Sequence, residues 1–456
     1  MPPKPHLSTG IQGRRTGGAL AGMIQAILCL ALLMVGPSGC TVNPVTGRQE
    51  LVLMSEAQEV RIGKESYPVY TQMSEGEFPD PELQAYVNGV GLRLARLSHR
   101  PDLPYAFNVV NDSQINAYAL PGGKISITRG LLTEMENEAQ LAAVLGHEIG
   151  HVAARHQAAG YTRQVLAGIL TAAGAAALES ARVQGGDLLL QGGMLVTNLV
   201  LMKYSRDQER QADELGMEYM TRAGYNPEGM VQVMKILLAA QKRKPSAVEA
   251  MFSSHPLTTE RLATAEAMAA RQPAYLRTPE RLREEPFRTA TRRLRQLAPA
   301  YARMDRGRKA LARGDTAKAL KLLEEATRLG PDQALIWSFR AAAEAKAGRL
   351  EAGLEAARQA VRLAPDLFRA RYTAGVLTFE AGAYRESLEH LARAEKLVPG
   401  QPQVAFYRGR DFEALGDRRA AAREFARVLQ DVRKGEMAEY CYRRLAEWGY
   451  IRRTRN

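Results

Sequence analysis

Two histidines and a glutamate form a compact motif in the first third of the chain. His147, Glu148 and His151 lie within residues 138–156, where apolar residues recur at helical spacing without an interrupting proline. Imidazoles four residues apart lie about 40° apart around a helix, so both can reach one zinc ion. Glu148 lies beside them and can take a proton from water. The pattern indicates a metallohydrolase with one zinc ion per chain.

Two imidazoles leave the zinc ion short of a protein ligand. His156 is a poor candidate, because a position five residues after His151 points about 140° away around a helix. Glu209 and Asp213 are better placed, since they are four residues apart on a second predicted helix. One carboxylate completes a site of two histidines and one acid, and the other can orient a ligand imidazole. A solvated acidic face is the alternative interpretation of this pair.

A β-rich segment precedes the zinc motif. Residues 105–128 alternate between apolar and polar side chains, which is typical of strands. A strand beside the zinc helix would offer its edge to an extended peptide, and exposed backbone groups read little side-chain information. We therefore expect a protease of broad sequence tolerance, with a plain structural hairpin as the alternative. The residues predicted to bind substrate on this edge are Asn116, Ala117, Tyr118 and Ala119.

Several motifs follow one another within residues 45–268. They are HExxH, the downstream ExxxD, the segment 116–132, and Ser254-His255-Pro256 with Arg261 six residues after the histidine. In this order they resemble the HtpX-type zinc metalloendopeptidases, including the BepA-like members. The resemblance implies an α+β zincin-like metalloprotease domain. It also implies that the zinc ligands are His147, His151 and Glu209, that Glu148 is the general base, and that Asp213 is the partner of His147.

His255 and Arg261 are further candidate catalytic residues. In the BepA-like members the position of His255 resembles that of a histidine on a mobile loop, which can cap the zinc and hold the enzyme latent. A histidine that stabilises the oxyanion, or a surface residue before a proline turn, are the alternatives. Arg261 is expected to bind a carbonyl or carboxylate of the substrate.

The amino terminus has the features of an export signal. Residues 1–39 begin with basic residues, continue with an apolar run too short for a stable membrane span, and end with small residues. Cys40 follows directly, and the junction resembles a bacterial lipobox in which Pro37 replaces the usual Leu. We therefore expect Cys40 to be lipidated and to anchor a periplasm-facing protein to the outer membrane. Ordinary cleavage nearby or an uncleaved anchor are the alternatives.

The carboxyl-terminal half repeats itself every 34 residues. Glycines, prolines and small residues recur in one register, which is typical of tetratricopeptide-like helix pairs. The glycines in this register are Gly314, Gly348, Gly382 and Gly416. The predicted domains are a signal peptide at 1–39, a zinc metalloprotease domain at 40–268, a basic connector at 269–300 and an all-α tetratricopeptide-like solenoid at 301–456.

The net charge of +13 is unevenly distributed. Residues 40–268 carry −5 and residues 269–313 carry +9, so the two halves have complementary charge. No nucleic-acid-binding motif accompanies the basic stretch, which argues against a nucleic-acid partner. Residues 161–203, rich in Ala, Gly and Leu, are expected to form two helices that pack around the zinc helix. A lid or a hairpin touching the membrane is the alternative.

These patterns together predict an exported zinc metalloendopeptidase. The resemblance to the HtpX-type enzymes, including the BepA-like members, implies that it cleaves misfolded or misassembled envelope proteins. The repeats are expected to bind these polypeptides or the envelope assembly machinery. The alternative is an assembly chaperone or scaffold whose protease site is mostly latent. A zinc hydrolase of small substrates fits less well, because a strand edge suits a polypeptide.

Overall fold

The computed structural model describes residues 40–171, 202–243 and 245–451. The expected signal peptide at 1–39 and most of the expected helices within 161–203 lie outside these residues. Cys40 is described as the first residue of a short strand. Within the described ranges, no helix combines the length and the apolar character needed to cross a membrane.

The amino-terminal half contains two small sheets. Strands β1 (Cys40–Val42) and β2 (Gln49–Leu51) pair in antiparallel orientation. Strands β3 (Ala106–Val110), β4 (Ala117–Leu120) and β5 (Lys124–Thr128) form the second sheet in the order β3–β5–β4. Strand β3 is parallel to β5, and β4 is antiparallel to it. The expected strand next to the zinc motif therefore lies at one edge of this sheet.

Helices surround the larger sheet. One of them, α4, runs through the centre of this half, because all of its residues except His147 are buried. The helices of this half are α1 (Glu56–Met73), α2 (Pro81–Ala95), α3 (Arg129–Glu134), α4 (Glu138–Ala153), α5 (His156–Thr171), α6 (Arg206–Arg222), α7 (Glu228–Arg243), α8 (Pro245–Ser254) and α9 (Thr259–Arg271).

Small residues bring α4 and α6 close together. A Cβ atom added to Gly216 of α6 would lie 2.8 Å from the backbone nitrogen of His147, and one added to Gly146 would lie 3.0 Å from the Gly216 carbonyl oxygen. Such packing leaves no room for a larger side chain. Side-chain caps fix where both helices begin, with Asn137 accepting from Gln140 N and Ser205 forming a capping box with Gln208.

The carboxyl-terminal half is all helical. Two 3₁₀ turns (Ala274–Leu276 and Pro279–Leu282) lead into α10 (Glu284–Ala290), and antiparallel helix pairs with one closing helix follow. These are α11 (Arg292–Ala312), α12 (Thr316–Leu329), α13 (Ala334–Lys346), α14 (Leu350–Leu363), α15 (Phe368–Glu380), α16 (Tyr384–Leu397), α17 (Pro402–Ala414), α18 (Arg418–Asp431) and α19 (Glu436–Glu447).

The 34-residue period has a direct structural cause. Its four glycines occupy the turns within the helix pairs with φ between 77° and 86°, a region that glycine enters without strain. The small residues of the period allow close packing, since a Cβ on Gly375 would lie 2.7 Å from the Leu391 side chain. The expected fold class, a small sheet with helices followed by an all-helical repeat region, is confirmed.

The two halves share one apolar core. Tyr301 of α11 is fully buried; its ring lies 5.9 Å from that of Phe78 and 4.0 Å from the guanidinium carbon of Arg129. Its hydroxyl accepts a hydrogen bond from Asn111 Nδ2 at 2.9 Å and donates one to Gln333 Oε1 at 2.7 Å. The repeats are therefore packed against the amino-terminal half through buried contacts.

Ion pairs surround this shared core. Arg369 of α15 donates to Glu75 at 2.6 Å, and Arg283 of the basic connector donates to Glu138 at 3.1 Å. Arg295 also donates to the backbone carbonyl of Met135 at 2.6 Å. Basic residues of the connector and repeats thus meet acceptors of the acidic half, as the charge distribution suggests. The buried Tyr301 contacts show that charge is one part of this interface.

Candidate metal centre

Four side chains of the kind that bind metals converge at α4. His147 and His151 come from α4 itself, Glu209 from α6 and His255 from the turn after α8. One ligand atom from each lies within 4.8 Å of the others. His147 Nε2 is 3.1 Å from His151 Nε2, and Glu209 Oε1 is 3.3 Å from His151 Nε2. The structure thus brings together the three ligands that the sequence suggests, with His255 as a fourth group.

His255 faces the same point as the other three. Its Nδ1 atom lies 3.0 Å from Glu209 Oε1 and 3.4 Å from His147 Nε2, and its Nε2 atom lies 3.9 Å from Glu148 Oε1. Only 5% of His255 is exposed. Of the alternatives considered for His255, the position of a surface residue does not fit this burial.

The donor set suits a zinc ion. Imidazole nitrogens and a carboxylate oxygen are preferred zinc ligands, and three of them leave a position for water or substrate. Glu148 is 1% exposed, and its Oε2 atom has no hydrogen-bond partner among the described residues. A buried carboxylate oxygen without a partner requires an explanation, and a water molecule held beside a metal would supply one.

The charges of the centre also favour metal binding. Burial lowers the pKa of His151 well below its usual value, so the ring is neutral and can act as a ligand. Burial alone would raise the pKa of Glu209. The charge of His255 and its hydrogen bond to Glu209 outweigh burial and hold that pKa well below its usual range. Glu209 is therefore an anion at neutral pH.

Asp213 and Arg261 support the ligands from the far side. His147 Nδ1 donates to Asp213 Oδ1 at 3.0 Å, which leaves Nε2 facing the centre. Arg261 donates to both Asp213 oxygens at 2.7 Å and to Glu209 Oε2 at 2.5 Å. Burial would raise the pKa of Asp213, and the hydrogen bonds from His147 and Arg261 lower it.

Arg261 has structural contacts besides the substrate-binding role expected from the sequence, which stays a prediction. Its guanidinium donates to Asp213, to Glu209 and to the Pro256 carbonyl oxygen at 2.8 Å, and Arg261 also lines the cavity beside the centre. The physical reason is that two buried carboxylates four residues apart need a cation nearby. The sequence does not reveal which basic residue supplies it.

Two residues near His151 were missed by sequence reasoning. Helix α4 ends at Ala153 and Arg155 adopts φ 56°, so the 140° rotation computed for a continuous helix does not apply to His156. His156 Nδ1 lies 2.9 Å from His151 Nδ1. On another side the ring of Tyr204 stacks on that of His151, with centroids 3.8 Å apart. The sequence holds no local signal for either contact.

Strand β4 carries the residues expected to bind substrate. Ala117, Tyr118 and Ala119 lie in β4, and Asn116 directly precedes it. The strand is at the sheet edge but is buried along its length, and Gln157 Nε2 donates to the Ala119 carbonyl oxygen. A substrate backbone would have to take the place of Gln157 at that carbonyl. Pairing of a peptide with this edge remains a prediction.

A small apolar cavity adjoins the centre. Its volume is about 40 Å³, enough for a few water molecules. Its polar wall consists of His147, Glu148, Asp213, His255 and Arg261. The apolar wall consists of Ala143, Val144, Met230, Val233, Met234, Leu237, Met251, Phe252 and Leu257. The apolar surroundings strengthen electrostatic interactions at Glu148.

Comparisons with known proteins agree with this geometry. Residues 81–269 match peptidase family M48. The beta-barrel assembly-enhancing protease of Escherichia coli strain K12 is 33% identical over 218 residues, which cover 46% of this chain and 44% of that protein. The mitochondrial metalloendopeptidase OMA1 of Schizosaccharomyces pombe is 30% identical over 223 residues, 48% of this chain and 63% of that protein.

The matches leave much of each relative uncovered. The chain spans about half the length of the curated relatives it matches. Among solved structures, a thermophilic TPR protein of Thermus thermophilus covers 33% of this chain and 83% of its own, at 20% identity and a TM-score of 0.30. The family resemblance inferred from the motifs is confirmed, and the segment that matches peptidase family M48 is followed by helical repeats.

Proposed function

We propose that the protein is a zinc-dependent endopeptidase of the bacterial envelope that cleaves misfolded or misassembled outer-membrane proteins. The observation that carries the proposal is the buried carboxylate of Glu148 beside three converging ligands, with one oxygen unpartnered among the described residues. The M48 match supports peptide-bond hydrolysis. The name of the Escherichia coli relative, a beta-barrel assembly-enhancing protease, supports the envelope substrate.

The mechanism follows from the roles of the residues around the centre. His147, His151 and Glu209 would hold the zinc, and Asp213 keeps His147 in the tautomer that presents Nε2. Zinc, when bound, supplies a Lewis acid that polarises the scissile carbonyl and lowers the pKa of water. Glu148 takes the proton from the attacking water and passes it to the leaving amine. Its apolar surroundings strengthen the electrostatic interactions of the carboxylate.

The substrate would enter as an extended chain. Strand β4 offers backbone groups at the sheet edge once Gln157 is displaced from Ala119. Recognition through the backbone suits substrates that share an unfolded state rather than a sequence. The helical repeats would hold such substrates, or the machinery that assembles envelope proteins, on their concave surface.

His255 would act as a latch on this centre. With Nδ1 close to both Glu209 and His147, the ring occupies the space of a fourth ligand and excludes substrate from it. The turn that follows α8 would have to move to open the centre. Cleavage would then depend on an event that draws His255 away.

The cellular location of the protein is part of the same proposal. The export-like sequence before Cys40 supports secretion, and lipidation of Cys40 would place the protein on the periplasmic face of the outer membrane. Metabolic labelling with a fatty acid tests this. Label should appear on the wild type and be absent from Cys40→Ser; equal labelling of both would contradict lipidation at that residue.

An assembly chaperone with a latent protease site is the second candidate. The observation that favours it is the position of His255, which lies among the proposed ligands. In this alternative the main function is the binding of other proteins by the repeats, and cleavage is rare.

The Glu148→Gln variant separates the two candidates. It should retain zinc, because Glu148 is not a ligand, and lose cleavage of unfolded protein. Glu214→Gln, which changes an exposed acid on α6, is the matched control and should cleave normally. The variant should also trap substrates that mass spectrometry can identify. Full complementation of a deletion strain by Glu148→Gln would contradict proteolysis as the main function and favour the chaperone.

A further inference from the structure

His156 lies directly behind the ligand His151. The two Nδ1 atoms are 2.9 Å apart, and the opposite nitrogen of His156, Nε2, is 2.9 Å from Gln211 Oε1. Both imidazoles are buried, with His151 0% and His156 4% exposed. The three side chains form an unbroken line of hydrogen bonds from α6 to the metal centre.

The proton positions along this line are set by the chemistry of the groups. His151 can bind a metal through Nε2, the atom that faces Glu209 at 3.3 Å, only if its single proton is on Nδ1. That proton must be donated to His156 Nδ1, which therefore accepts and carries its own proton on Nε2. His156 Nε2 then donates to Gln211 Oε1, an amide oxygen that can only accept.

We propose that His156 is a positioning residue that fixes His151 in its metal-binding tautomer. Ligand histidines usually donate their second nitrogen to a carboxylate or a backbone carbonyl. Here a neutral imidazole takes that role for His151, whereas Asp213 takes it for His147. The two ligand histidines of α4 are thus oriented by groups of different charge. The inference depends on the proposed zinc site but not on the proposed peptidase activity.

The backbone conformation at Arg155 places His156 behind His151. Arg155, at φ 56°, is a non-glycine residue in the left-handed region, which costs on the order of 1 kcal/mol. Its guanidinium is anchored by Glu59 Oε1 at 2.6 Å, by the Met54 carbonyl oxygen at 2.6 Å and by Thr41 at 3.0 Å. These bonds compensate the strained turn that redirects the chain after α4 and brings His156 behind His151.

Zinc affinity of the full chain tests the proposal without using activity. His156→Leu removes the acceptor and should weaken zinc binding by ~10- to 100-fold in chelator competition. His156→Asn is the matched variant, because its Oδ1 can accept near the former Nδ1 position, and it should bind zinc nearly as tightly as the wild type. The thermal unfolding of the metal-free proteins reports whether each variant is folded.

The tautomer itself can be read from the wild type. In zinc-loaded wild type labelled with ¹⁵N-histidine, the His156 signal is identified because it is missing from the spectrum of His156→Asn. This signal should report a proton on Nε2. A proton on Nδ1 of His156 would overturn the proposal, and this holds even if His156→Leu fails to fold. So would unchanged zinc affinity in a folded His156→Leu, or equal weakening in His156→Leu and His156→Asn. Loss of cleavage with normal zinc affinity in Glu148→Gln bears only on the proposed function.

Discussion

The Nδ1 atom of His255 lies 3.0 Å from the Oε1 atom of Glu209. The two residues come from different helical segments, Glu209 from the first turn of α6 and His255 from the turn after α8. Their contact joins the segment that supplies a proposed ligand to the segment that carries the proposed latch. Under the proposed latch, opening of the centre would require this contact to break.

We expect His255→Ala to raise the rate at which unfolded protein is cleaved. Removal of the ring clears the space between Glu209 and Glu148. If the capped form is ~90% populated, its loss raises the rate about 10-fold. Cleavage of a labelled unfolded protein measures the effect. Ser253→Ala changes an exposed residue of α8 and should leave the rate unchanged. A lower rate with zinc retained would instead support stabilisation of the transition state by His255.

Arg261→Gln should destabilise the protein. The substitution leaves Asp213 and Glu209 buried without their cation, and breaking a buried pair in this way costs about 3–5 kcal/mol. Arg261→Lys keeps the charge but loses the paired hydrogen bonds, so its free energy of unfolding should lie between those of Arg261→Gln and the wild type. Urea unfolding at pH 7 measures the free energy. Arg271→Gln, at the exposed end of the same helix, serves as the control.

A different result for Arg261 would favour the substrate-binding role expected from the sequence. If the free energy of unfolding of Arg261→Gln is within about 1 kcal/mol of the wild-type value while the KM for substrate rises, the guanidinium binds substrate.

The proposed ligands could be predicted because their information is local. His147 and His151 share a helix face by spacing alone, and so do Glu209 and Asp213 on α6. The meeting of the two helices follows from small residues such as Gly216, whose importance appears only when the helices are seen to touch. Helical periodicity thus singled out the four residues, the family resemblance implied which carboxylate is the ligand, and tertiary packing decided their distances.

The contacts that escaped prediction are those set by long-range packing. His156 was excluded as a ligand by extending a helix that in fact ends before it, because Arg155 is anchored to residues about 100 positions earlier. The repeats show the same limit. Their 34-residue glycine period could be predicted, since each glycine serves a local turn. It contained nothing about Tyr301 meeting Asn111, a pair 190 residues apart.

Tyr301→Phe should weaken the contact between the two halves. The substitution removes the hydroxyl that joins Asn111 to Gln333, leaving a buried donor and acceptor unpaired at a cost of about 1–3 kcal/mol. The free energy of unfolding in urea measures this loss. Tyr372→Phe is the control, because its hydroxyl makes no hydrogen bond to any residue that the structure describes. Equal effects of the two substitutions would show that the bridge contributes nothing specific.

Asp411 should make the stability of the repeats depend on pH. Its carboxyl is 0% exposed and shares a 2.7 Å hydrogen bond with Ser387 Oγ, whose own proton can go to the Gly375 carbonyl oxygen at 2.8 Å. Burial raises the pKa of Asp411 from its usual 3.8 to about 7, although Ser387 and the charge of Arg410 act in the opposite direction. The neutral acid is therefore the form that the folded repeats prefer.

The sign of the pH effect follows from that preference. Because the pKa is higher in the folded state, the folded protein holds the proton more tightly between pH 4 and 7. The stability that this proton contributes is complete below about pH 4 and is lost as the pH rises through 7, at about 1.4 kcal/mol per pH unit. Asp411→Asn cannot ionise and should gain about 2–3 kcal/mol over the wild type between pH 5 and pH 8. Urea unfolding at the two pH values, with the exposed Asp431→Asn as control, measures the difference. If Asp411→Asn keeps the pH slope of the wild type, Asp411 is ionised in the folded protein and the slope has another source.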